Sequence, residues 1–153
     1  MEKKEKTVSF ALTRLITDQF AINENAFSES TDIQFGVGIQ FGIDEGNNGI
    51  SCSTNFRFVI NDIPFIQLKV SCEFRIEDIA WVKFIDNESC KINFPRGFMS
   101  HLAMITVGTA RGVLHTKTEN TKFNIYIIPP INLNDHVEND ISFDLENRLS
   151  LKG

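Results

Sequence analysis

Four stretches of this chain alternate apolar and polar residues with the period of two that a half-buried β-strand imposes. The clearest places Ile33, Phe35, Val37, Ile39, Phe41 and Ile43 on one side, against Gln34, Gly36, Gly38, Gln40 and Gly42 on the other. A strand from about Thr7 to Asn23 precedes it, with Val8, Phe10, Leu12, Ile16, Phe20 and Ile22 in one phase. Two more follow, one keeping Ile50, Cys52, Thr54, Phe56, Phe58 and Ile60 on one face, the other Ile66, Leu68, Val70, Cys72, Phe74 and Ile76. Polar and turn-forming runs at 25–31, 45–49 and 61–64 separate the four. Such short connections predict an antiparallel sheet in which consecutive strands are neighbours.

Only one helix follows to cover that sheet. The link from Asp78 to Lys91 carries Ile79, Trp81, Val82, Phe84 and Ile85, too apolar for a solvated loop, and is expected to cross the structure and pack. Asn93 and Pro95 then supply a capping side chain and a proline for the first turn, so a helix is predicted to about His115. At about 100° per residue, Phe98, Met99, Leu102, Ala103, Ile105, Val107, Ala110, Val113 and Leu114 cover an arc of about 200°, twice what a surface helix needs. The opposite face holds Ser100, His101, Gly108, Arg111, Gly112 and His115, with Met104 as its large apolar member. Four strands make a sheet roughly 19 Å wide, and a helix is about 10 Å across. A sheet too wide for its helix, beside a helix apolar on two sides, predicts a symmetric oligomer with helices between sheets.

The remaining chain adds little regular structure. Lys122–Ile128 is expected to be short and extended or helical, and Pro129-Pro130-Ile131-Asn132-Leu133 ends regular backbone. The 153 residues predict a single domain with an ordered core over about 7–137. An acidic tail over 138–153 is expected to be partly mobile, with Leu145 and Leu149 on any short helix it forms. A net charge of −5 argues against binding nucleic acid through its phosphates. Met1-Glu2-Lys3-Lys4-Glu5-Lys6 lacks the apolar core of a signal peptide, and no apolar run reaches membrane-span length, so a cytoplasmic protein without membrane insertion is expected. Fourteen Phe against one Tyr and one Trp give aromatic area with few polar handles, suited to core, interface or an apolar binding surface.

No catalytic constellation, metal site or cofactor is expected. Cys52, Cys72 and Cys90 lack zinc spacing, and the first two fall on apolar phases as small buried hydrophobes. His101 and His115 lie about 21 Å apart along one helix, too far to share a metal. Gly36 and Gly38 alternate inside a strand and make no phosphate loop; they suit an exposed sheet face or the close approach of another backbone.

Arg14 and Asp18 interrupt the apolar phase of the first strand. A bulge or an exposed end would account for them. So would antiparallel pairing of two copies about an axis at Ile16, which sets Arg14 against Asp18 of its mate and aligns Leu12 with Phe20; this register is the expected dimer contact.

Phe94-Pro95 at the helix start, Arg111-Gly112 near its end, the later Pro130-Ile131-Asn132-Leu133 and Cys72-Glu73-Phe74 in strand four occur in the order of parts found in SecB-like chaperones. The chain resembles that family over roughly residues 7–137. The resemblance implies an α+β fold, with a four-stranded antiparallel sheet, one long helix and a Pro-rich C-terminal segment. It further implies a dimer of dimers, with first strands paired at one interface and the helices, through residues such as Phe98, Leu102 and Ile105, at the other. The implied activity is ATP-independent binding of unfolded polypeptide, in protein export with a translocase motor or as a chaperone of an antitoxin. Aromatic and apolar residues outside the main strands, Trp81, Phe84, Tyr126 and Ile131, are the expected client contacts, with core closure as the alternative. The other function considered is a hot-dog-type lipid or thioester carrier or thioesterase. It lacks a carboxylate or His at the helix start, where Asn93 is the polar candidate.

Overall fold

A computed structural model describes residues 8–29 and 32–145. The four alternating stretches are strands: β1 Phe10–Ile22, β2 Gln34–Asp44, β3 Gly49–Ile60 and β4 Ile63–Ile76. All pairings are antiparallel, in the order β1-β4-β3-β2. After them come a short helix α1 (Asp78–Lys83), β5 (Ile85–Asp86), β6 (Lys91–Phe94), the long helix α2 (Arg96–Thr118) and β7 (Ile141–Asp144), with a second sheet ordered β5-β6-β7.

The expected neighbour relation of β1 and β2 is corrected: β1 pairs with β4, at the far edge from β2. Tight turns join β2 to β3 and β3 to β4, the latter through Asn61 and Asp62, both at positive φ as a two-residue hairpin loop requires. Residues 23–33 are long enough to cross the roughly 14 Å between the outer strands, giving a Greek-key order. The crossing is fastened at two points. Asn23 N–H donates to the Phe65 carbonyl at 2.9 Å, and the Phe27 ring lies 5.1–6.2 Å from those of Phe65, Phe123 and Tyr126. A register shift in β4 frees Phe65 for that aromatic cluster.

β1 departs from a single apolar phase because it carries two register shifts, at Thr13 and at Asp18. Between them the faces exchange, since side chains alternate with period two. Leu15 and Thr17 join Phe10, Leu12, Phe20 and Ile22 on the apolar face, opposite Cys72 and Val70, and Ile16 lies on the polar face opposite Ser71. The bulge explanation of Arg14 and Asp18 holds. Asp18 accepts from the Ser71 hydroxyl, whose Oγ is 2.8 Å from that of Ser53.

Helix α2 lies on β3 and β4, burying Met99, Leu102, Ala103, Thr106, Val107, Ala110 and Leu114. It begins after Pro95 rather than at Asn93, which belongs to β6 and accepts from Ser142. The cap comes from the C-terminal segment: Asp140 Oδ1 accepts from Arg96 N–H at 2.8 Å, placing a carboxylate at the positive end of the helix. Arg96 in turn donates through Nε to the Val137 carbonyl and through Nη2 to Asn134 Oδ1, both at 2.7 Å. Residues 133–145, expected in part as a mobile tail, are therefore structured, with Val137 and Leu145 buried and β7 paired to β6. Leu145 follows a strand instead of sitting on a helix, and Leu149 is outside the described residues.

Replacing Asp140 by Ala should remove this remote cap and cost about 1 kcal/mol. Urea unfolding of the variant and parent would reveal it as a lower midpoint at unchanged slope.

Candidate functional site

The sequence Ile125-Tyr126-Ile127-Ile128 leaves a 3-10 turn (Lys122–Ile125) and continues as extended backbone, so alternate side chains part. Tyr126 and Ile128 turn inward, Tyr126 against the rings of Phe58 and Phe65 at 5.7 and 5.1 Å. Ile125 and Ile127 are left 75% and 62% exposed. Pro129 and Pro130 cannot donate to a sheet, and the carbonyls here are met by α2: Arg111 Nε donates to the Ile128 carbonyl at 2.8 Å and Nη2 to that of Pro129 at 3.1 Å. Asn124 Nδ2 reaches the His115 carbonyl at 3.0 Å and Thr118 Oγ1 at 3.1 Å. The segment is thereby held along the flank of α2.

Two hollows lie along that flank, with Arg111 in the wall of both. One, of about 360 Å³, is lined by Gly108, Arg111, Gly112, His115, Tyr126 and Ile127. The second, of about 200 Å³, is lined by Met104, Val107, Arg111, Pro130, Ile131 and Leu133. With Met104 60% exposed and the two isoleucines beside them, they form an apolar strip along one side of the helix. Gly108 and Gly112 keep its floor low. A methyl group at either position would meet nothing within 4 Å. Mid-helix glycine costs about 1 kcal/mol relative to alanine, and no neighbour in this chain requires it.

Of the four expected client contacts, Tyr126 and Ile131 line this strip. Trp81 lies in the core, 6% exposed against Phe94, and Phe84 is half-buried between Phe94 and Phe98. The strip and the Trp81–Phe84 region belong to different core clusters. Around Trp81 the exposed apolar groups are its α1 neighbours Ile79 and Val82. Among the expected interface residues, Leu102 is fully buried within the chain, Phe98 packs edge-on against Phe10, and Ile105 is half-buried. Arg14 and Asp18 are exposed on β1, whose outer edge is unpaired among the described residues, and Ile16 is half-buried. The sequence placed Met104 on the face of the helix opposite its apolar arc, where it is exposed, but sequence reasoning missed Ile125 and Ile127 as surface features; the alternation over 125–128 was their signal.

Sheet cover is uneven. The helix-facing apolar residues of β3 and β4 are almost completely buried, whereas all five of β2, Phe35, Val37, Ile39, Phe41 and Ile43, remain partly exposed and Leu12 and Leu15 of β1 are 43% and 56% exposed. Gly36 and Gly38 face an open polar surface, with Arg57 and Asn55 atoms 4.0 Å from any added methyl.

Cys52 and Cys72 oppose each other across β3 and β4, both wholly buried, and Cys90 is half-buried. Burial pushes the Cys52 thiol up to about 11, partly offset by a hydrogen bond with Thr106. Among the described residues no cluster of three His, Cys, Asp or Glu side chains could hold a metal, and no helix is long and apolar enough to cross a membrane.

No family model and no curated protein matches the chain. Among solved structures, a protein of unknown function from Streptococcus agalactiae is similar at 15% identity and a TM-score of 0.38, over 82% of this chain and 99% of that one.

Two outcomes follow from these surroundings. If the floor of the strip is free, Gly108→Ala and Gly112→Ala should each stabilise the chain by up to about 1 kcal/mol in denaturant titrations; a partner backbone seated there would reverse the sign. The folded chain keeps the Cys52 proton up to about pH 11, while the unfolded thiol ionises from 9.0. Its contribution to stability is therefore complete below about pH 9 and is lost as pH rises through 11, by at most about 3 kcal/mol. Unfolding midpoints measured across that range should fall less steeply in a Cys52→Ala variant.

Proposed function

We propose that this chain is an ATP-independent holdase of the SecB-like kind, which binds unfolded or extended polypeptide through apolar surface and catalyses no reaction. The observation that carries this reading is the strip along α2, where Ile125, Ile127 and Met104 stand in solvent beside a glycine floor and a hydrogen-bonded proline segment. Exposed apolar strips bounded by polar groups serve recognition, and this one accepts side chains without prescribing their sequence. Arg111 on α2 fixes the opposite wall by gripping backbone carbonyls, and Tyr126 and Ile131 supply contact area.

The active form is an oligomer, a dimer or a dimer of dimers. The half-covered apolar rows of β1 and β2 support it, since monomeric proteins seldom leave such rows open. Antiparallel pairing of β1 edges about Ile16 brings Arg14 toward Asp18 of the mate, and Leu12 and Leu15 extend a shared apolar face. Its role is in protein export with a translocase motor or as the chaperone of an antitoxin, within the cytoplasm.

Sedimentation and an aggregation assay with a slowly folding client test the proposal together. The expected result is a mass of at least two chains and suppressed light scattering. A monomer that leaves aggregation unchanged defeats the reading, and co-purified lipid without suppression would favour a lipid carrier. The double variant Ile125→Asp, Ile127→Asp changes only exposed positions, so stability should hold within about 0.5 kcal/mol while suppression falls about fivefold.

A further inference from the structure

Arg111 stands in the wall of both hollows beside α2 and is half-buried there. It donates from one edge of the guanidinium, Nε to the Ile128 carbonyl and Nη2 to that of Pro129. Both acceptors are neutral. Among the described residues Nη1 has no acceptor, which leaves open the end-on fork that a carboxylate fits with two parallel bonds. The neighbouring His115 has a carboxylate of its own, Glu119 at 3.6 Å, and neither ion pair among the described residues includes Arg111.

An apolar segment laid over both hollows would therefore take this charge out of water with no opposite charge beside it. Burying an unpaired ion is costly, whereas a hydrogen-bonded ion pair offsets much of that cost. From Met104 to His115 the two hollows follow about 16 Å of helix at 1.5 Å per residue. In an extended segment the same-face residues i, i+2 and i+4 span about 13 Å, which sets one side chain in each hollow and the middle one at Arg111.

We infer that the strip selects polypeptide segments in which an Asp or Glu lies midway between two apolar residues four positions apart. The hollows take apolar side chains without reading them further, and the preference comes from the charge between them. This rests on the polypeptide-binding reading above and gives it a substrate class. Long-range attraction cannot produce the preference, because the chain's net charge of −5 repels acidic partners; it has to come from contact with Arg111.

The test uses the full chain and three dye-labelled soluble peptides that differ at one position, with leucines four apart, serines between and around them, and Glu, Gln or Lys midway. Affinities are read by fluorescence anisotropy at physiological ionic strength, where long-range repulsion is screened. The Glu peptide should bind about tenfold tighter than the Gln peptide, with the Lys peptide weakest of the three. In Arg111→Gln the ratio between the Glu and Gln peptides should fall to about one; general loosening of residues 126–131 would weaken both peptides alike and leave the ratio unchanged. The comparison between peptides on the parent chain stands whether or not the variant folds. Equal binding of the Glu and Gln peptides, or a preference that persists in Arg111→Gln, would overturn the assignment and leave the holdase reading standing. Binding of none of the three overturns the inference, and the holdase reading falls with it only where aggregation of a slowly folding client is also unchanged.

Discussion

The apolar face of the main sheet is wider than the helix laid across it, and the rest of the molecule follows from that mismatch. Helix α2 runs over β3 and β4, whose inward side chains are buried almost completely. Burying a Phe, Ile or Leu is worth about 1.5–3 kcal/mol, so the two central strands and the helix hold most of the stabilising area. The outer strands do not share it equally. β2 keeps a full row of half-covered residues, and β1 leaves Leu12 and Leu15 in solvent.

Chain order decides which strands are left outside. The crossing from β1 to β2 is pinned by Phe27 and by the Asn23 N–H bond to Phe65, and the same cluster receives Phe123 and Tyr126 from beyond the helix. One aromatic knot thus fixes the Greek-key crossing and the start of the segment that flanks α2. At the opposite end Arg96 and Asp140 tie the start of the helix to the chain's C-terminal strand. The helix is clamped at both ends by segments remote in sequence, and the surface between the clamps stays open.

Much of this was legible in the sequence because periodicity is a local property. The rows of β2, β3 and β4 emerge from alternation alone, and the apolar arc of α2 from its spacing. β1 was harder. Two bulges reverse its faces and return them, so Ile16 matches the outer phase by count but lies on the polar side. The neighbour of β1 was not legible either, since a connection of the length of 23–33 permits either partner and the choice depends on tertiary contacts of Phe27 and Phe65. Asn93 resembled a cap because Asn often is one, yet the cap came from Asp140, 44 positions away from Arg96. The acidic composition after Val137 suggested solvent, and hid the four-residue alternation Ile141, Ser142, Phe143, Asp144 that pairs with β6. Half of the candidate site was visible, in Tyr126 and Ile131; its other wall depends on Arg111 reaching the carbonyls of Ile128 and Pro129.

The glycines of α2 bear on what the open surface is for. Two mid-helix glycines four residues apart cost about 2 kcal/mol together against alanine, with no contact in the chain that demands them. Helical Gly108 and Gly112 could be alanine with no effect on any internal contact, and the helix would be firmer. Their effect is depth: without β-carbons the groove beside Ile127 and Tyr126 is deeper than alanine would leave it. Proteins with apolar surface of this kind face aggregation as the ordinary hazard, and β1 meets it with bulges and charge. The strip on α2 leaves Ile125, Ile127 and Met104 in solvent, with Arg111 as the charged side chain in the walls of both hollows. Under the proposed holdase reading, surface of that description meets a partner that is itself extended and apolar, the state of a polypeptide before it folds.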